Sequence, residues 1–357
     1  MAALAEGQAQ PQARIPQEGS PSPLTKQFLQ LRLSRCNLCD DGVTDRQTPH
    51  QDRRMLALGM RLLSVFGLSS LSLCVKLASE SGIRLPEIMF WRQFAAIPVV
   101  LTWVLFSSGL ASLRTQRLGA HVRRSFLGAT GMFFTFGAVL LLPLAEAATL
   151  GFTVPIFATL LSALVLKERV GPHRWGAVLI GFVGVLIVIQ PGSGGFPLKG
   201  ALVGLTASLM IGIISLQLRD LGRTEAPTTT VFYFSLLSSM MLLTLHLLPL
   251  PAPLGDILSW GNAQHSAYQW LIIAGLGLCG GLGQIALTAS LRYAPVSTVV
   301  GMDYTALIWS TLYGWAIWGV LPGPSTWAGA PIIIASGLYI AWREHRLAIA
   351  KPREISI

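Results

Sequence analysis

Charge is the first scarcity in this chain. Only 12% of its 357 residues are charged, against about 25% in ordinary soluble domains. Hydrophobic residues make up 52% of it. A surface with so little charge cannot solvate a large water-soluble fold, so a polytopic membrane protein is implied. Acids are scarcer still: 16 Asp and Glu stand against 26 Lys and Arg, for a net charge of +10. That excess does not form a nucleic-acid patch. It lies in short stretches between apolar runs, where the positive-inside rule places it. Cysteine is nearly absent, with Cys36, Cys39, Cys74 and Cys279 alone. Cys36 and Cys39 form a CxxC, but a zinc site needs a second ligand pair, and only His50 lies near. No metal or other cofactor is expected. HExxH, GxSxG and Walker-type GxxxxGK[ST] motifs are all missing, so no hydrolytic constellation or nucleotide engine is indicated. The sequence predicts a protein that is not an enzyme.

The first 54 residues are polar, rich in Gln, Pro, Arg and Ser, and sustain no helical period. They read as a disordered extension. No apolar h-region follows a charged start, as a secretory signal would require. Met55, just after Arg53 and Arg54, has the look of an alternative start.

Ten apolar runs follow, each near the 17–25 residues that cross a bilayer: 55–78, 87–106, 124–142, 146–166, 174–190, 199–218, 229–248, 268–291, 295–318 and 325–342. The expected fold is therefore all-α, with ten transmembrane helices. Arg114, Arg117, Arg123, Arg124, Lys167, Arg169, Arg174, Arg219, Arg223 and Arg292 fall on one side. The C-terminal tail adds Arg343, Arg346, Lys351 and Arg353, whereas the opposite loops carry only Arg84 and Lys199. Both termini are thus expected in the cytoplasm, in an inner or plasma membrane.

The fourth–fifth and ninth–tenth runs resemble one another. Ala148-Thr149-Leu150 parallels Ser297-Thr298-Val299, and Gly171-Pro172 with Trp175 parallels Gly323-Pro324 with Trp327. Five spans is an odd number, so two five-span halves would have opposite topology, a recurring transporter architecture. The expected units are 55–190 (first repeat), 199–345 (second repeat) and a tail over 346–357.

One acid stands out. Asp303, in the stretch Ala294–Trp309, lies about the middle of the ninth run, beside Tyr304. A charge at the centre of a bilayer costs roughly 2.5–3.5 kcal/mol on insertion scales. Such a residue implies a cavity, a partner or a substrate. Ala306 and Ser310 share its helical face. Lys76 and Arg92 read as the basic residues inside spans away from the cytoplasmic ends, Lys76 snorkelling outward. Arg92 has Glu80, Glu87 and Asp303 as possible partners, or an anionic group on a substrate. Thr149 and Thr153 precede Pro155, whose missing N–H frees the Gly151 carbonyl. Glu146 sits at the outer mouth of the same run, and Gln284 lies among glycines on the eighth. The expected substrate-binding set is Asp303, Tyr304, Arg92, Thr153, Gln284 and Glu146.

Phe90-Trp91-Arg92, Leu166-Lys167-Glu168-Arg169, Ser290-Leu-Arg-Tyr-Ala-Pro295, Met302-Asp303-Tyr304 and Ser336-Gly-Leu-Tyr together resemble the drug/metabolite transporter superfamily, in its EamA-type branch. The likeness covers about residues 55–345. It implies a secondary transporter moving a small organic metabolite across a lipid bilayer by alternating access. Gly319-Val320 departs from the Gly-Glu common in that family after the ninth span. The alternative function is a membrane adaptor using residues 1–54 to bind partners. No nucleic-acid partner is expected, and a homodimer stays open.

Overall fold

The computed structural model describes residues 54–350 apart from 108, 166, 168–169, 192–196, 222–223, 250, 253, 262–263 and 294–298. The N-terminal extension, its CxxC pair and the Ser297-Thr298 repeat marker lie outside the described residues.

All regular structure among the described residues is helical. Helix α1 runs Arg54–Glu80, α2 Leu85–Ser107, α3 Leu118–Leu141, α4 Leu144–Gly151, α5 Val154–Leu164 and α6 Pro172–Ile189. After these come α7 Leu198–Leu221, α8 Pro227–Leu247, the short α9 Leu254–Leu258, α10 Ala267–Tyr293, a 3-10 turn Val300–Thr305, α11 Ala306–Trp318 and α12 Pro324–Ala350. Eight described stretches are long and apolar enough to cross a membrane, with α4 and α5 together forming one of them. The ninth run expected from sequence departs from a continuous α-helix. Its first part is the 3-10 turn, tightened by the Thr305 hydroxyl donating to the Met302 carbonyl at 2.7 Å. The tenth run is a 27-residue helix, but Trp327, Tyr339, Trp342 and Pro331 dilute its apolarity.

The helices pack in a regular set of pairs. α1 lies against α10, and α3 against α7. α2 meets both α10 and α8, and α3 also meets α8. α6 packs on α12, α4 on α11, α11 on α1, and α4 and α5 on α7. Glycine permits the closest of these approaches. A β-carbon at Gly67 would stand 3.1 Å from the Gly283 Cα, and one at Gly329 would stand 2.6 Å from the Gly184 carbonyl oxygen. Small residues give such approaches between helices in lipid, where apolar burial supplies no drive toward association. Gly204 and Gly212 do the same for α7, leaving room for Leu150 and Leu161.

Two apolar clusters result. One joins α1, α2, α3 and α10 through Leu71, Val75, Ile88, Met132 and Leu276. The other joins α4, α5, α6 and α12 through Leu150, Ile156, Val185, Val188 and Ile333. Large apolar side chains such as Leu179, Val183, Leu186, Leu271, Leu278 and Leu282 face outward, as a lipid-facing belt requires. Hydroxyls within the helices are mostly satisfied by the carbonyl one turn back, as at Ser72, Thr135, Thr149, Thr159 and Thr206. That is the cheapest local partner where water is absent.

The two ends of the bundle are fastened differently. At one end Arg117 meets Asp220 at 2.8 Å, Thr115 donates to Glu225 at 2.6 Å, and Tyr233 donates to the Leu113 carbonyl at 3.0 Å. At the other, buried Glu87 takes His265 Nε2 at 2.8 Å and the Gly261 N–H at 3.1 Å, which folds the segment after α9 over the start of α2.

Candidate functional site

The site is built on two interrupted spans. Pro155 has no N–H to give, so the span holding Thr153 breaks into α4 and α5 at Phe152-Thr153. The Leu150 carbonyl collects the donors there: the Thr153 hydroxyl at 2.6 Å and the Ser208 hydroxyl of α7 at 2.9 Å. Opposite it, the 3-10 turn Val300–Thr305 carries Asp303 and Tyr304. The Tyr304 ring meets Phe152 edge-on, centroids 5.0 Å apart. A β-carbon at Gly337 would collide with the Tyr304 hydroxyl, with Pro155 close by. The two breaks therefore touch each other. A 3-10 stretch within a span often marks a hinge.

Between them lies a cavity of about 630 Å³. Asp303, Tyr304, Phe152, Val154 and Pro155 line it, with Ala306 and Ser310 on the face expected for them. Gly151 lines it too, beside the proline that frees its carbonyl. Asp303 is paired. Its Oδ1 accepts from Arg61 Nε at 2.6 Å and its Oδ2 from Arg61 Nη2 at 2.5 Å. This is the two-pronged geometry in which guanidinium and carboxylate fit best. The Arg61 side chain is 10% exposed and that of Asp303 35% exposed, so the pair sits at the cavity wall.

Arg61 is the residue that sequence reasoning passed over. It stands about two turns into α1 and reads as one more basic residue near a helix end. Its partner is 242 positions away. The available signal was the lone acid of the ninth run, which requires a cation somewhere in the bundle.

The other expected site residues divide. Arg92 joins none of Glu80, Glu87 or Asp303. Glu80 instead accepts from Trp318 Nε1 at 2.9 Å, and Glu87 holds His265. Arg92 bonds to the Gln93 side chain and lies 3.8 Å from the Met132 sulfur. With Gln284 it lines a second cavity of about 440 Å³. Leu68, Ser72, Thr135 and Ile211 line both cavities, so the two are contiguous. Thr153 is fully buried and committed to the backbone break. Glu146 is half-buried outside either lining, within electrostatic reach of Lys76. Lys76 donates to the Leu142 carbonyl at 2.9 Å and lies over the Trp318 ring at 5.2 Å. Its ammonium thus caps the end of α3. Among the described residues no cluster of His, Cys, Asp and Glu is arranged to hold a metal, and Cys74 and Cys279 are free thiols.

The EamA-like transporter family model matches residues 55–190 and again 198–342. The chain belongs to the EamA-like transporter family. Among its relatives, a riboflavin transporter of Vibrio cholerae serotype O1 is 33% identical over 250 residues, covering 70% of this chain and 80% of the relative. The pseudopaline exporter of Pseudomonas aeruginosa is 27% identical, over 77% and 93% of the two chains. An S-adenosylmethionine uptake transporter of Rickettsia prowazekii is 24% identical, over 74% and 85%. A solved crystal structure shares the fold with a TM-score of 0.55 at 20% identity, over 82% of this chain and 98% of that one. This EamA-like chain is therefore an integral membrane protein and a transporter of small metabolites.

Proposed function

We propose that the chain is a secondary transporter that moves small organic metabolites by alternating access between two inverted five-span halves. The halves are 55–190 and 199–345, ten spans in all, with both termini in the cytoplasm of an inner or plasma membrane. Residues 1–54 are an extension and 346–357 a cytoplasmic tail.

Three observations support the inverted halves. The family model matches two stretches of similar length. The helix packing maps onto itself when each span is exchanged for the span five later: α1 on α10 becomes α7 on α3, α2 on α10 becomes α8 on α3, and α6 on α12 and α4 on α11 become themselves. Both spans bordering the cavity are broken, one at Phe152-Thr153 and one over Val300–Thr305, and the sequence offset that pairs Thr149 with Thr298 pairs Val154 with Asp303.

The observation that carries the mechanism is the Arg61–Asp303 pair across the cavity wall. It ties α1 to the broken ninth span. Its making and breaking is the two-state element that alternating access needs. Cargo enters the cavity beside Tyr304 and competes for either charge, so that binding and release of the tie are coupled. Thr153 serves by holding the break in the facing span. Glu146 and Lys76 belong to the rim. Energy comes from a gradient of cargo or coupled ion.

The relatives carry riboflavin, S-adenosylmethionine and pseudopaline, which defines the cargo class without selecting a compound. Metabolite profiling of cells expressing the wild-type chain, Asp303→Asn or neither tests the function. At least one small metabolite is expected to change its distribution across the membrane in wild-type cells and not in the variant. Identical profiles in cells with and without the wild-type chain, with the protein present in the membrane, refute transport, and a variant profile matching the wild type removes Asp303 from the mechanism.

A further inference from the structure

The second cavity holds an unneutralised pair of cations. Arg92 enters its wall from α2 and Arg124 from α3. The two are close enough for their charges to repel. Guanidinium groups stay protonated in proteins, and one buried within a membrane-spanning bundle is costly unless something meets it. Two other arginines are met by a carboxylate, Arg61 by Asp303 and Arg117 by Asp220, and Arg84 donates to the Ser259 hydroxyl. No Asp or Glu lines the second cavity among the described residues.

What Arg92 and Arg124 have instead carries no negative charge. Arg92 has the Gln93 amide oxygen and, at 3.8 Å, the Met132 sulfur. Arg124 lies over the Phe234 ring at 4.3 Å. Arg92 Nε and both Nε and Nη1 of Arg124 are buried without a hydrogen-bond partner. Buried charged donors are ordinarily met by protein, water or a ligand, and these three atoms have room for such a partner in the cavity. Gly128 leaves the room that Arg124 and the Phe234 ring occupy, and Gly280 stands in ordinary contact with Arg92. A β-carbon at Gly128 would collide with Arg124 Nη1, and one at Gly280 would stand 3.5 Å from Arg92 Nε. Ser72, Thr135, Thr230, Ser235 and Gln284 supply further polar atoms around the space.

We infer that Arg92 and Arg124 form a binding site for a soluble oxyanion, a carboxylate or phosphate carried by the transported metabolite. Planar forked donors suit both groups. This rests on the transport proposed above and narrows its cargo. The oxyanion docks between α2 and α3, and the remainder of the molecule extends past Ser72 and Thr135 into the Arg61–Asp303 cavity, since those residues line both spaces.

The test is binding to purified protein, independent of flux. Melting temperature is followed while inorganic phosphate or citrate is titrated at ionic strength held constant with sodium chloride. One or both are expected to raise it saturably. A response to phosphate alone assigns a phosphate-bearing cargo, and one to citrate alone a carboxylate. Arg92→Gln and Arg124→Gln are each expected to weaken the apparent affinity at least tenfold. Gly128→Ala, which keeps both charges but displaces Arg124, should do so as well. Arg117→Gln, which lies outside both cavities, should leave it unchanged. No saturable response to either anion overturns the site, as does a response that survives all three substitutions. A response to dioleoylphosphatidylglycerol alone also overturns it, since the occupant would then be lipid. Failure here leaves the transport test standing, and identical metabolite profiles with anion binding intact would sink transport alone.

Discussion

The Arg61–Asp303 tie gives a stability prediction whose size follows from its burial. Losing one partner of a fully buried pair costs about 3–5 kcal/mol, and an exposed pair contributes about 0.2–1 kcal/mol. Here one side chain is 10% exposed and the other 35%, and two charge-assisted bonds of 2.6 and 2.5 Å join them. A coupling of about 2 kcal/mol is expected from that intermediate position. It corresponds to roughly a 30-fold change in the unfolding equilibrium. The assay is a double-mutant cycle on detergent-purified protein unfolded by sodium dodecyl sulfate, with Arg61→Gln, Asp303→Asn and the double variant. Each single variant leaves one charge unmet, so the double should be less destabilised than the sum by about 2 kcal/mol. Additivity within about 0.5 kcal/mol would show that the two side chains do not sense each other in the folded protein.

Other consequences follow from the packing and the ends of the bundle. Gly329→Ala forces a β-carbon against the Gly184 carbonyl oxygen, and overpacking of this kind costs about 1–3 kcal/mol. Gly176→Ala on the same helix pair meets nothing within 4 Å and should be neutral or slightly stabilising; thermal unfolding compares the two. Glu87→Ala removes the acceptor for His265 and Gly261. Hydrogen exchange of backbone amides over residues 254–261 should then rise about tenfold, the equivalent of about 1.4 kcal/mol. Deleting residues 1–50 should leave metabolite distribution at the wild-type level; an adaptor whose arm is that segment would lose its effect instead.

Much of the fold was legible because lipid imposes simple demands on sequence. Apolar runs of spanning length have a local cause, and eight described helical stretches long and apolar enough to span stand where those runs put them. The break at Pro155 was visible for the same reason. The 3-10 turn around Asp303 was not, since no proline lies within Val300–Thr305 and the pairing that fits it comes from α1. Sequence distance also hid Arg61, whose meaning depends on a carboxylate far along the chain. Arg92 was visible as a buried cation, but its company was not. Only the folded structure shows Arg124 sharing its cavity and Glu87 turned away toward His265. Thr153 had a polar group in the right span, yet its hydroxyl is spent on the Leu150 carbonyl, a choice that burial decides.

The most direct test of the central claim is initial-rate uptake into proteoliposomes. The cargo is the radiolabelled metabolite identified by profiling, and the proteins are the wild type, Asp303→Asn and Arg61→Gln. The account predicts saturable uptake by the wild type and a loss of at least tenfold in rate or affinity in both variants. Uptake with wild-type rate and affinity in both would remove the Arg61–Asp303 pair from the transport cycle and contradict the account.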